Sequence, residues 1–128
     1  MEMRDAIEAD AGRLASLTDA PRDVMRNLVH DRTVRVIEEE DDIRGFVSYD
    51  AREQTVYVTQ LEGDDGVYPE LLDEPVRFAQ TEEMAVELLV PDTEAEMRDA
   101  ASDAGFERTG GGPQFDGEST TRYRIDNP

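Results

Sequence analysis

The strongest constraint on the fold is a change of hydrophobic spacing at Thr33. From there to Thr59 apolar residues recur every second position, as Val34 and Val36 do, and this spacing is typical of β-strands that bury one face. Polar turns at "EEDD" and "DARE" divide the stretch into three parts. The sequence therefore predicts three consecutive antiparallel strands at this point.

Helical spacing precedes and follows these strands. After a short strand at residues 1–5, apolar residues recur at helical spacing from Ile7 to Leu17, and again from Val24 to Val29. Pro21 suits the first turn of the second helix. Residues 68–79 predict a third helix, and we expect a break near Pro75 because an interior proline removes a helical hydrogen bond.

The remaining segments predict a strand, a helix and a closing hairpin. The mostly apolar run "MAVELLV" is typical of a strand covered on both faces. "DTEAEMRDAASDAGF" has capping-box spacing at Thr93 and Glu96, with Gly105 as the terminator. "FERTG" and "TTRYRID" read as two strands. The chain is thus predicted to be a single α/β (α+β) domain over residues 1–128.

The charge of the chain is extreme. Its 32 carboxylates face 13 basic residues, all of them arginine, which gives a formal net charge of −19. Such a surface repels itself unless salt screens it. We interpret the composition as that of a cytoplasmic protein from a salt-loving organism, specifically a halophilic archaeon. No basic stripe is present, so we expect no nucleic-acid partner.

Several kinds of chemistry are excluded by composition. The absence of cysteine removes thiolate nucleophiles and ligands, and one histidine cannot form a His-cluster metal site, so no metal is predicted. His30 ends the second helix, where a cation is favoured structurally. "TGGGP" cannot be a Walker loop without lysine. The apolar runs are too short to span a membrane, so we expect neither export nor membrane insertion.

The order of elements, with "VRVIEEEDDIRGFVSYDAREQTVYVTQLE" and "DAGFERTGGGPQFDG", resembles the GNAT acetyltransferase superfamily over nearly the whole chain. The longer segment resembles that superfamily's second to fourth strands, and the shorter segment resembles its "GF" turn and closing hairpin. The resemblance implies a mixed, mostly antiparallel twisted sheet with helices on both faces, split between its fourth and fifth strands.

The resemblance fails at the segment that binds phosphate in this superfamily. There, Arg/Gln-x-x-Gly-x-Gly/Ala follows the fourth strand, and its backbone N–H groups hold the pyrophosphate of acetyl-CoA at a helix N-terminus. The corresponding "LEGDDGVYPELL" is shortened, lacks the Gly-x-Gly motif, and carries Asp64 and Asp65 where an anion would sit. We interpret this loop as a degraded phosphate site.

A further departure concerns the acid that protonates the leaving thiolate. Many members of the superfamily have a tyrosine four residues before the "GF" glycine, and the corresponding residue here is Ala101. The asparagine frequently found one or two turns earlier is also absent. Together with the loop, these losses indicate a degenerate member that is weakly active or inactive.

The resemblance also implies a provisional site. If acetyl-CoA binds, main-chain groups of Leu61 and Gly63 would meet its pantetheine arm, and Gly63 and Gly66 would be the remnant of the phosphate loop. Gln60 and Glu62 would be nearest to a small amine substrate, with Glu62 as the only candidate base.

Three functions remain open. The chain is a degraded or an atypical but active N-acyltransferase, a noncatalytic module that binds a ligand or protein partner, or a subunit whose hairpin "GGGPQFDGESTTRYRID" forms a homodimer.

Overall fold

The computed structural model describes residues 1–64, 66–114 and 117–128. Asp65 of the predicted phosphate loop therefore lies outside the described residues. Within them the helices are α1, α2, α3 and α4, spanning Ala11–Thr18, Arg22–Asp31, Tyr68–Glu82 and Ala95–Asp103. The strands β1 to β7 span Glu2–Asp5, Thr33–Glu39, Asp42–Arg52, Thr55–Gly63, Ala85–Pro91, Glu107–Gly111 and Thr120–Ile125.

The strands form one mixed sheet in the order β1-β2-β3-β4-β5-β7-β6. Only the β4–β5 pairing is parallel, and the other neighbours run antiparallel. The parallel pairing follows from α3, which carries the chain from the end of β4 back to the start of β5. The predicted α/β architecture is confirmed.

Helices cover both faces of the sheet. On one face α3 and α4 pack against Val47, Val56 and Val86. On the other face α1 and α2 pack against Val36 and Phe46. None of the helices among the described residues is both long and apolar enough to cross a membrane.

The two hairpins of the central strands have two-residue turns. Glu40 and Asp41 form the first, and Glu53 and Gln54 form the second, all with positive φ between 48° and 66°. Turns of this hand match the twist of the strands they join. The first lies in the predicted "EEDD" segment. The predicted "DARE" turn is displaced, because β3 continues to Arg52.

The predicted break in the third helix is wrong. The helix runs continuously from Tyr68 to Glu82 with Pro75 inside it. Pro75 cannot donate to the carbonyl of Leu71, but its ring is buried, and Leu72 and Ala79 are also fully buried on this helix. Packing of the apolar face against the sheet therefore offsets one missing hydrogen bond.

Two helix starts also differ from the prediction. Ile7 precedes a short 3-10 helix over Glu8–Asp10 and is 57% exposed, so the first α-helix begins only at Ala11. The fourth helix is capped by Glu94 without a side-chain hydrogen bond, so the predicted Thr93–Glu96 capping box is not formed. Its end is as predicted: Gly105 has φ +97°, and the N–H of Phe106 donates to the carbonyl of Ala101.

Candidate active site

The sheet opens between β4 and β5. Their pairing runs from Thr55 with Ala85 to Val58 with Leu88, whereas β4 continues to Gly63 and β5 to Pro91. The β3–β4 register shifts between Ser48 and Tyr49, and this bulge makes Thr59 an extra residue on β4. A bulge bends its strand and increases the local twist. The second half of β4 therefore diverges from β5.

A cavity of about 490 Å³ lies in this split. Its walls come from β4 between residues 57 and 62, from β5 between residues 87 and 91, and from the α1–α2 connection. Met97 and Thr120 complete the lining. Tyr68 is buried in the core cluster with Leu61 and does not line this cavity. The predicted split is thus present and open.

Glu62, the predicted base, lines the cavity at the end of β4. Its side chain is half-buried, and that burial is the main reason why the pKa of the carboxyl lies above its ordinary value. The charges of Glu94 and Asp19 raise this pKa further. A carboxylate with a raised pKa is a better proton acceptor near neutral pH.

Gln60 lines the cavity next to Glu62 on the same face of β4. Its Oε1 atom is buried, and among the described residues no group donates a hydrogen bond to it. A buried carbonyl oxygen without a donor is costly, so this atom is suited to accept a hydrogen bond from a bound molecule.

At the end of the split next to the predicted phosphate loop, Gly63 and Gly66 have different surroundings. A methyl group on Gly63 would lie 2.5 Å from Val67 Cγ2 and 3.0 Å from Gly45 Cα, so the absence of a side chain there allows β3 and Val67 to pack. Gly66 has φ +87°, and beyond its chain neighbours no atom of the described residues lies within 4 Å of where its Cβ would be. Leu61 is 4% exposed and is paired with Val47 on β3.

The N-terminus of α3 offers few anion-binding groups. Pro69 in its first turn has no N–H, and the N–H of Val67 already donates to the carbonyl of Asp64 at 3.4 Å. Glu70 adds a carboxylate in that turn. Asp64 is held 3.4 Å from Arg44, which therefore has a carboxylate partner already.

The position at which the superfamily often has its leaving-group acid holds a buried core residue here. Ala101 is fully buried in the cluster that α4 forms with the sheet. Ala101 itself supplies no hydroxyl, and the neighbouring Ser102 is exposed.

The remaining sequence candidates lie elsewhere. His30 is exposed and contacts the carboxylate of Glu8 at the ends of α2 and the short 3-10 helix. Among the described residues, no group of three or more histidine or acidic side chains is placed to hold a metal ion.

Sequence reasoning missed the residues at the other end of the cavity. Arg52 and Tyr57 line it from the β3–β4 hairpin, and Glu87 lines it from β5. Glu87 accepts a hydrogen bond of 3.2 Å from Arg124 on β7. These residues come from three separate stretches, so only the strand order could have brought them together.

No family model matches the chain, and no curated protein is matched by its sequence. Solved structures are similar in fold. A ribosomal-protein-alanine N-acetyltransferase from Brucella melitensis has a TM-score of 0.83 at 16% identity, with 98% of this chain and 99% of that chain covered. A GNAT-family acetyltransferase from Streptococcus pneumoniae has a TM-score of 0.76 at 14% identity, with 99% of each chain covered.

A third similar structure, from Salmonella typhimurium, is assigned as an acetyltransferase and contains its cofactor acetyl-CoA. Its TM-score is 0.83 at 15% identity, with 98% of this chain and 93% of that chain covered. Identities this low establish the fold and not the activity. The protein therefore has the fold of the GNAT acetyltransferases.

Proposed function

We propose that the protein is an acetyl-CoA-dependent N-acyltransferase of low activity, in which the pyrophosphate loop has degenerated. The observation that carries this proposal is the open split between β4 and β5, with Glu62 on its wall. The half-buried carboxylate of Glu62, whose pKa is raised chiefly by burial, is suited to proton transfer at this wall. The GNAT fold of the chain supports the same reaction class.

Glu62 would act as the general base. An amine is protonated in water and must lose that proton before its lone pair can attack a thioester carbon. Bound acetyl-CoA supplies the thioester and the thiolate leaving group. Gln60 Oε1 would orient the amine by accepting one of its N–H groups. Since Ala101 offers no hydroxyl, the departing thiolate would take its proton from solvent.

The residues fit the two ends of acetyl-CoA unequally. The split fits the pantetheine arm, with the main chain of Leu61 and Gly63 as its edge. The loop fits the pyrophosphate poorly, because Asp64 and Glu70 add negative charge and Pro69 removes a donor. Gly66 has the positive φ of a loop glycine, but the Gly-x-Gly motif whose backbone N–H groups would bind the phosphates is missing.

The unequal fit can be measured directly by calorimetry in molar salt. We expect acetyl-CoA to bind weakly, and S-acetylpantetheine, which lacks the pyrophosphate, to bind within tenfold of it. In an intact site two charge-assisted bonds, each worth about 1.5–3 kcal/mol, would separate the two ligands by a hundredfold or more. A low micromolar dissociation constant for acetyl-CoA would refute the degenerate loop.

Two variants sharpen this test. Asp64→Asn with Asp65→Asn should tighten acetyl-CoA binding but leave S-acetylpantetheine unchanged. Glu107→Gln with Glu118→Gln removes the same charge from the closing hairpin and should change neither. Glu62→Gln should lower the acetyl-transfer rate by about 10²–10⁴, the contribution of a general base. Failure of both ligands to bind would favour the noncatalytic module.

We also propose that the acidic, lysine-free surface adapts the chain to a salt-rich cytoplasm. The amine substrate would be small, and the closing hairpin would be the contact if the chain forms a homodimer.

A further inference from the structure

The cavity has one end that is basic, although the chain as a whole is strongly acidic. Arg52 lines that end, and its guanidinium carbon lies 4.8 Å from the centre of the Tyr57 ring. Among the described residues no carboxylate lies within ion-pair distance of Arg52. Arg52 is therefore available to an anionic ligand, in a chain whose 32 carboxylates outnumber its 13 arginines.

Two further arginines lie beside Glu87 at this end, although neither lines the cavity. Glu87 Oε1 lies 3.2 Å from Arg124 Nη1 and 3.7 Å from Arg122 Nε. The second distance is too long for a hydrogen bond, and Arg122 Nε is buried without a hydrogen-bond acceptor among the described residues. Asp126 also pairs with Arg124 at 2.6 Å. Glu87, the carboxylate that lines this end of the cavity, is therefore already paired with Arg124.

The opposite end of the cavity is acidic. Glu62 lines it, and the charges of Asp19 and Glu94 act on that carboxyl. Gln60, with its buried unpaired oxygen, lies between the two ends. At about 3.3 Å per strand residue, Tyr57 is about 10 Å from Gln60 and at most about 16 Å from Glu62.

We propose that the acceptor is an elongated zwitterion, with an ammonium group at Glu62 and a carboxylate about 10–15 Å away at Arg52. This inference rests on the proposed function and names its substrate class. Arg52 binds the carboxylate, and its guanidinium is held in place by packing over the face of the Tyr57 ring. A diamine of the same length is disfavoured because its second ammonium meets Arg52, while Glu87 at this end is already paired with Arg124.

The test measures acceptor binding without acetyl-CoA, by calorimetry at a salt concentration at which circular dichroism shows the folded protein. The probes are linear amino carboxylates of increasing length, the matching amino amides, and the matching diamines. We expect the amino carboxylate whose charges are about 10–15 Å apart to bind threefold to fivefold tighter than its amide, as for an exposed ion pair. Equal binding of acid and amide, or tighter binding of the diamine, would overturn the proposal.

Variants assign the preference to one side chain. Arg52→Gln should abolish the difference between acid and amide, and Arg52→Lys should keep part of it. Arg108→Gln is the control, because Arg108 is also exposed and unpaired among the described residues but lies on β6 outside the cavity. Loss of the difference in the Arg108 variant would contradict the assignment.

Transfer is assayed separately with acetyl-CoA and the same probes. Binding of the amino carboxylate without acetyl transfer would refute the proposed function and leave the ligand class standing. Transfer to alkylamines and amino amides as fast as to the amino carboxylate would refute the ligand class and leave the function standing.

Discussion

Glu62 couples the chemistry of the cavity to the stability of the fold. Because its pKa is raised on folding, chiefly by burial, the folded protein holds this proton more tightly than the unfolded chain. The stabilising contribution is complete below the ordinary pKa of 4.5 and is lost as pH rises through the folded value. Above the folded pKa the ionised carboxylate is therefore a cost to stability.

We predict that Glu62→Gln raises the melting temperature at pH 7–8 and has no effect near pH 4, where the native carboxyl is already protonated. Thermal melts across this pH range at constant salt measure the difference. The exposed Glu107→Gln variant controls for the loss of one charge. A Glu62→Gln variant no more stable than the parent at pH 8 would contradict the assigned pKa direction.

Gly63 gives a second prediction at this scale. An alanine there would place its Cβ 2.5 Å from Val67 Cγ2 and 3.0 Å from the carbonyl oxygen of Arg44. We expect Gly63→Ala to destabilise the fold by about 1–3 kcal/mol, the usual cost of overpacking. Gly111→Ala, whose Cβ would meet no atom of the residues that the structure describes within 4 Å, is the matched control in chemical denaturation. Equal stability of the two variants would show that Val67 can move away.

The sequence predicted where Glu62 and Gly63 lie but not what surrounds them. Glu62 could be placed because strand alternation and the resemblance fix the end of β4. The contact of Gly63 with Val67 depends on how α3 turns back onto β3, which no local pattern encodes. A glycine needed for packing is therefore indistinguishable in sequence from one needed for phosphate.

At the scale of elements, the hairpin turns hold L-amino acids in the left-handed conformation, which is unfavourable for them. Gln54 has φ +66° in the β3–β4 turn, a conformation that glycine adopts without strain. We predict that Gln54→Gly stabilises the protein by up to about 1 kcal/mol, since an L-residue in the left-handed region costs about 1–2 kcal/mol and glycine loses more chain entropy on folding.

The same substitution in a helix supplies the control. Gln80 lies exposed near the end of α3, where glycine should destabilise by up to about 1 kcal/mol. Urea denaturation of both variants should thus give changes of opposite sign. If both variants lose stability, the strain of Gln54 in the left-handed region is smaller than the entropy cost of ordering a glycine there.

Element order was predictable, whereas element boundaries were not. Apolar spacing identified β2 to β4 and the first three α-helices, because each buries one face, whereas β6 is exposed at every residue and was predicted only as part of the closing hairpin. Pro75 was misjudged because the hydrogen bond it removes is visible in sequence, but the buried contacts of Leu71 and Leu72 that outweigh it are tertiary. The absent Thr93 cap shows the same limit, since Glu94 takes the cap position.

At the scale of the whole molecule, the site results from the strand order. The end of the cavity at Arg52 brings Tyr57 next to Glu87, with Arg124 paired to Glu87 outside the lining, because β4 pairs with β5 and β5 pairs with β7. These residues are far apart in the chain. Their strands become neighbours because α3 carries the chain back across the sheet, so that β5 can pair in parallel with β4. The acidic end could be predicted from one strand, but the basic end could not.

The last prediction concerns the net charge of −19. Local ion pairs such as Arg4 with Asp10 and Glu38 absorb part of the repulsion, and Arg35 joins Asp5 to Glu74 across two elements. The 32 carboxylates far outnumber the 13 arginines, and the carboxylates without an arginine partner repel one another. The screening length is about 3 Å in 1 M salt and about 10 Å in 0.1 M, so dilution exposes this repulsion.

We therefore predict that the melting temperature falls steadily as potassium chloride is diluted from molar to millimolar concentration, and that the chain expands or unfolds at the lowest salt. Circular dichroism and light scattering follow the transition. Sucrose at millimolar salt is the control, because it favours the compact state through exclusion from the surface without screening charge. It should restore less of the melting temperature than the salt does. A melting temperature that does not change with potassium chloride would show that the ion pairs already balance the acidic surface.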